Sequence, residues 1–170
     1  MSNIQSILAI GSIFILSLTS LSFNGALLQS NTVEIENKVY LTAFSLADEL
    51  IEEIKLKAYD EKTLTFPTVN RGTLTPIASF GCDSVGGVFI SKDGESYPYF
   101  DDIDDYNGYK RDADEPHAEK YHMEVKVYYV SETDPNTKSS SQTFHKRVDV
   151  IVSSPYINNN VTLSFIFTQK

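Results

Sequence analysis

No charged side chain occurs between Met1 and Val33, and every Lys, Arg, Asp and Glu lies beyond that point. Within this stretch, residues 4–23 read IQSILAIGSIFILSLTSLSF, an apolar run broken only by small or neutral polar side chains. A helix needs about 20 such residues to cross the hydrocarbon of a bilayer. A helix on the surface of a soluble core would instead carry charge on one face within two turns. The run is therefore read as a membrane and assembly helix carried by Ile4, Gln5, Ile7, Leu8, Ile10, Phe14, Leu16, Leu18, Leu21 and Phe23. A cleaved signal peptide is the competing reading, because Ser20 and Ser22 have the −3/−1 spacing of a cleavage site. Two features favour a retained anchor: residues 1–4 hold no Lys or Arg, and the run exceeds the roughly 7 to 15 residues of a signal-peptide core.

No proline precedes Pro67, so the helix is free to continue, and a second pattern takes over. Val33, Asn37, Tyr40, Phe44, Ala47, Ile51, Ile54 and Ala58 recur at alternating spacings of four and three. This predicts an amphipathic helix over 31–62, with Val33, Tyr40, Phe44, Ala47, Ile51 and Ile54 as its packing stripe. From Phe44 onward the stripe is expected to lie on the chain's own sheet, and before that against another copy's helix. Glu34 with Lys38, and Glu53 with Lys57, stand in the favourable i,i+4 order.

Beyond residue 62 the helical period gives way to turn residues at Pro67, Gly72, Pro76, Gly81, Gly86, Gly87, Gly94 and Pro98. Short strands are expected at 64–69, 74–80 and 88–91. Three longer strands are clearer. Tyr121, Met123, Val125, Val127 and Tyr129 alternate with polar residues, as do Phe144, Lys146, Val148, Val150 and Val152, then Val161, Leu163, Phe165 and Phe167. The connections at 134–141 and 155–160 suit an antiparallel meander. One face of that sheet is apolar and needs a cover, which the amphipathic helix supplies. The expected fold is α+β: a membrane and assembly helix at 1–30, its amphipathic continuation at 31–62, and an antiparallel β domain at 63–170.

The formal net charge of −9 excludes a nucleic-acid partner, whose phosphates demand a basic surface. More than half of the excess lies in an acidic loop at 101–115, where seven acids face only Lys110 and Arg111. Cys82 is the single cysteine, so no disulfide forms within the chain and no Cys cluster holds zinc.

The DDIDDYNGYKRD stretch at 101–112, followed by MEVKVYYV, KRVDVIVSS and the terminal VTLSFIFT, resembles the C-terminal half of minor type IV pilins and pseudopilins. The layout of helix, acidic loop and strands extends that resemblance over the whole chain. It implies a structural subunit, anchored in the inner membrane before assembly with its domain outside the cytoplasm. In the filament, the first helices of such subunits pack together and the globular domains face outward. Members of the family carry Glu at the fifth mature position. The fifth residue here is Gln5, an amide that hydrogen-bonds but cannot pair ionically with a neighbour's amine.

Particular residues also suggest other chemistry. Asp101, Asp102, Asp104, Asp105, Asn107 and Asp114 are calcium candidates by oxygen chemistry and spacing. With Gly108 as the sharp-turn glycine, however, the first EF-hand ligand position falls on Ile103. A structural loop whose acids cap turns and amides is the favoured alternative. GCDSVGG at 81–87 has the look of a nucleophile loop, but Cys82 and Val85 break the motif. His117, His122 and His145 have no common metal spacing, although strand neighbours could bring the last two together. Tyr97, Tyr99, Phe100, Tyr106 and Tyr109 suit either a carbohydrate surface or a core. The chain is thus expected to be a non-enzymatic filament subunit whose partners are like subunits and membrane. A secreted or periplasmic β-rich binding domain is the alternative.

Overall fold

The computed structural model describes residues 3–66, 69–115 and 118–169, the side chains of Ala118 and Glu119 apart. Helix α1 runs over Asn3–Lys55. The chain divides into two compact units, Met1–Lys38 and Val39–Lys170. In the first unit, the large apolar side chains from Ile4 to Leu28 are all exposed. The predicted Glu34–Lys38 pair forms there at 2.8 Å.

The second unit is α+β, a helix packed on antiparallel sheet, as the sequence predicts. Four strands, β3 (Lys110–Glu115), β4 (Ala118–Tyr129), β5 (His145–Ser153) and β6 (Val161–Thr168), form an antiparallel sheet in the order β3-β4-β5-β6. The inward register is the one the alternation gives, with Tyr121, Met123, Val125, Val127, Tyr129, Val148, Val150 and Val152 buried. A separate hairpin pairs β1 (Cys82–Val85) with β2 (Val88–Ser91). Its two-residue turn is Gly86-Gly87, both at positive φ, as the right-handed twist of a hairpin requires. Strand β3, inside the expected acidic loop, was not foreseen. It forms one edge of the sheet, where its charges and a bulge near Ala113 suit an unpaired edge.

The helix meets the sheet through a face rotated from the expected stripe. Val39, Ala43, Leu46, Ala47, Leu50, Ile51 and Ile54 are buried, whereas Phe44 is 48% exposed and Tyr40 only half-buried. Ala47, Ile51 and Ile54 therefore pack as expected and Phe44 does not. Tyr121 of the sheet reaches this face, its hydroxyl donating to the Val39 carbonyl (3.5 Å), so Val39 rather than the bulkier Phe44 lies against it.

Helix α1 ends at Lys55 rather than near 62. No Pro or Gly stops it; tertiary contacts do. The N–H of Ala58 donates to the Asp101 carbonyl (2.9 Å), the N–H of Ile103 to the Ala58 carbonyl (3.0 Å), and Lys57 Nζ to the Phe100 carbonyl (2.5 Å). Lys57 thus leaves the helix, and Glu53 accepts from Tyr106 instead. The short helix α2 (Glu61–Thr65) then opens on a capping box between Asp60 and Thr63. That cap replaces the start of the strand expected at 64–69, of which residues 67 and 68 lie outside the described residues. A 3₁₀ turn at Ile77–Ser79 replaces the strand expected at 74–80.

Candidate functional site

Three features carry chemistry. The first is the apolar part of α1. An 18-residue window has a mean hydropathy of 2.0 and none of it is buried. Three hydroxyls inside the run turn back on their own helix: Ser12 Oγ donates to the Ala9 carbonyl (2.8 Å), Ser17 Oγ to Ile13 (2.8 Å) and Thr19 Oγ1 to Leu16 (2.9 Å). A hydroxyl satisfied in this way needs no water, which makes it tolerable in hydrocarbon. The helix is long and apolar enough to cross a membrane, which is compatible with membrane anchoring.

The second feature is a buried ionic centre built around Lys146. This lysine occupies an inward position of β5 and is wholly buried. Its Nζ lies 2.9 Å from Asp60 Oδ2, 2.6 Å from Asp104 Oδ1 and 2.6 Å from the Tyr59 carbonyl, with the rings of Tyr59, Phe80 and Tyr129 around it. Asp60 also accepts from the N–H groups of Thr75 (2.9 Å) and Lys62 (3.2 Å). Burial alone would raise the Asp60 carboxyl, but Lys146 and these donors hold it below its ordinary value. Asp104 goes the other way: burial drives it well up, and Asp102 and Asp60 add to that against the pull of Lys146. One cation thus lies between two buried acids, and its pull prevails over burial at Asp60 but not at Asp104.

The third feature is an acidic cluster on the same unit. The DDIDDY segment folds back on itself, Asp102 Oδ1 accepting the N–H groups of Asp104 (2.6 Å) and Asp105 (3.2 Å) at the start of a 3₁₀ turn, Asp104–Tyr106. This presents Asp105 to the turn that follows β2, where carboxylate oxygens of Asp93, Glu95 and Asp105 lie within 4.8 Å of one another. Oxygens of Glu61, Asp93 and Asp102 form a second such group. Burial raises Asp105 to about 8, with Asp102 and Asp93 adding to it, and raises Asp102 to about 6. Glu61 and Glu95 are raised by burial and then by Asp101.

The calcium set proposed from spacing is therefore dispersed. Asp104 turns to Lys146, Asn107 Oδ1 accepts the Val127 N–H (3.0 Å), and Asp114 is exposed on β3, accepting from the Lys120 N–H (2.8 Å). Asp101, Asp102 and Asp105 remain near one another, joined by Asp93, Glu95 and Glu61, which no local motif links to them. The missed residue with a readable signal is Lys146, a lysine at an inward strand position, since such a charge requires a buried acid.

The remaining candidates resolve simply. Ser84 lies in β1 opposite Phe89, and burial, then Asp105 and Asp83, push the Cys82 thiol up to about 12. His122 sits beside Ser153 and His145 beside Thr168, at opposite ends of β5, so the two do not meet. His117 lies outside the described residues. Phe100, Tyr106 and Tyr109 are core residues packed edge to face, while Tyr99 is 77% exposed.

Compared with family models, with curated proteins and with solved structures, the chain matches none.

Proposed function

We propose that this chain is a pilin-like or pseudopilin-like structural subunit, held in the inner membrane by α1 with its β domain outside the cytoplasm, and acting in assembly of a pilus or secretion-type filament. The observation that carries the reading is the apolar helix itself, exposed on every side from Ile4 to Leu28 and continuous with the helix that enters the β domain's core. A helix apolar all round is stable only in lipid or among other helices. A subunit stored in membrane and then packed helix to helix uses both environments in turn. The partners are then further pilin-like subunits, and no catalytic role is proposed.

The test is electron microscopy of material sheared from cells carrying a tagged copy, beside a Phe14→Asp variant, with intact-mass analysis of the tagged protein. Tagged filaments that the variant abolishes support the reading. Tag found only as soluble monomer cleaved after Ser22 overturns it in favour of a secreted binding domain.

A further inference from the structure

We propose that Asp93, Glu95 and Asp105 bind a calcium ion, a site distinct from the Lys146 centre and independent of whether the chain assembles into filaments. Asp105 is 3% exposed, and its Oδ2, buried within the protein, has no hydrogen-bond partner. A buried carboxylate oxygen in that state is costly unless something else satisfies it. Asp101 Oδ1, from the same segment, is likewise buried and unpartnered. Asp93 and Glu95 are positioned by β2 and its following turn, Ser91 Oγ donating to Asp93 Oδ1 and the Asp101 N–H to Glu95 Oε2 (3.0 Å). The three carboxylates converge within 4.8 Å, a spacing at which like charges repel unless a proton or a cation lies among them.

The choice of metal follows from the ligands. They are all oxygens, which selects a hard cation. They come from two chain segments, and two of the three are not fully buried, so solvent completes the shell. Calcium accepts such an irregular, partly hydrated set of six to eight oxygens, whereas magnesium demands near-ideal octahedral geometry. Glu61, Asp101 and Asp102 stand close enough to add to the negative field that draws a cation in.

The test uses the full chain in detergent micelles, stripped of divalent ions with chelator and titrated with calcium chloride by calorimetry at fixed ionic strength, with thermal melting in parallel. The expected result is one calcium per chain, a melting temperature that rises to a plateau, and affinity lowered tenfold or more by Asp93→Asn and by Asp105→Asn but unchanged by Asp48→Asn. Should Asp105→Asn fail to fold, Glu95→Gln, at a half-buried position, takes its place with the same expectation. Lack of saturable binding up to about 10 mM, above the weak limit of extracellular calcium modules, overturns the proposal and leaves a proton shared among the acids. Full affinity retained in Asp93→Asn and Glu95→Gln also overturns it, as does magnesium binding equally well.

Discussion

Lys146 Nζ lies 2.9 Å from Asp60 Oδ2, and neither side chain reaches solvent. The contact joins β5 to the residue that caps α2, directly after the end of the long helix. Replacing one partner of a buried pair strands the other, at a cost of about 3–5 kcal/mol. Lys146→Met is expected to destabilise the fold by that amount in urea denaturation. Adding Asp60→Asn and Asp104→Asn to it is expected to recover at least half the loss, since a neutral centre of similar volume needs no counter-ion. A triple variant as unstable as the single one would show that packing, not charge, dominates there.

Acid should weaken the fold through two carboxylates. Burial raises Asp60 and Asp149, but Lys146 with its neighbouring donors overcomes this at Asp60, and Ser164, Arg147 and Tyr128 overcome it at Asp149, so both lie below the ordinary 3.8. The folded state thus binds these protons less tightly than the unfolded one. Their contribution is present above pH 3.8 and is lost as pH falls through the lower folded values. The difference in stability between the wild type and Asp149→Asn, which cancels the other acids, is expected to shrink steadily below pH 3.8. A difference constant from pH 5 to 2 would rule out the coupling.

Gly81 tolerates no side chain. Its φ is +103°, and an added Cβ would stand 2.3 Å from the Asn107 carbonyl oxygen, a backbone atom that cannot swing away. Gly81→Ala is expected to cost about 1–3 kcal/mol from the backbone conformation alone, and more from the clash. Gly25→Ala, where nothing lies within 4 Å, is expected to leave the melting temperature unchanged or slightly raised. Thermal melting of the two variants side by side decides the matter.

The buried core begins at Val39, and the second compact unit begins at the same residue. A chain starting at Val39 is therefore expected to fold, to melt within a few degrees of the full protein, and to remain in solution without detergent. Collapse or aggregation of that fragment would mean that residues before Val39 stabilise the domain.

Much of this architecture was readable beforehand, for definite reasons. The apolar run and the three C-terminal strands have periods that a sequence displays directly, and a sheet covered on one face preserves strict alternation. The helix face was misjudged at Phe44 because periodicity marks apolar residues without showing which of them the sheet covers. The end of α1 was hidden because it depends on a backbone bridge between Ala58 and Asp102, 44 positions later. The acidic segment was conspicuous, but spacing placed Asp104, Asn107 and Asp114 among the candidates for one ion, beside the favoured reading of a structural loop. Folding gave each a different partner. Asp93 and Glu95 come from another turn altogether, and only the tertiary fold brings them to Asp105.

The contacts that lock the end of the long helix also set an order in time. Tyr59 meets Thr143 and Asp60 meets Lys146, separations of 84 and 86 residues. At a synthesis rate of about 5–20 residues per second, several seconds pass between the emergence of the two ends of each contact. Throughout that interval Asp60 has no buried cation, and the strand that will carry Lys146 does not yet exist. A nascent chain is thus vulnerable to proteases around residues 57–62 until β5 is complete, and any stall before Lys146 yields a product that cannot close its core.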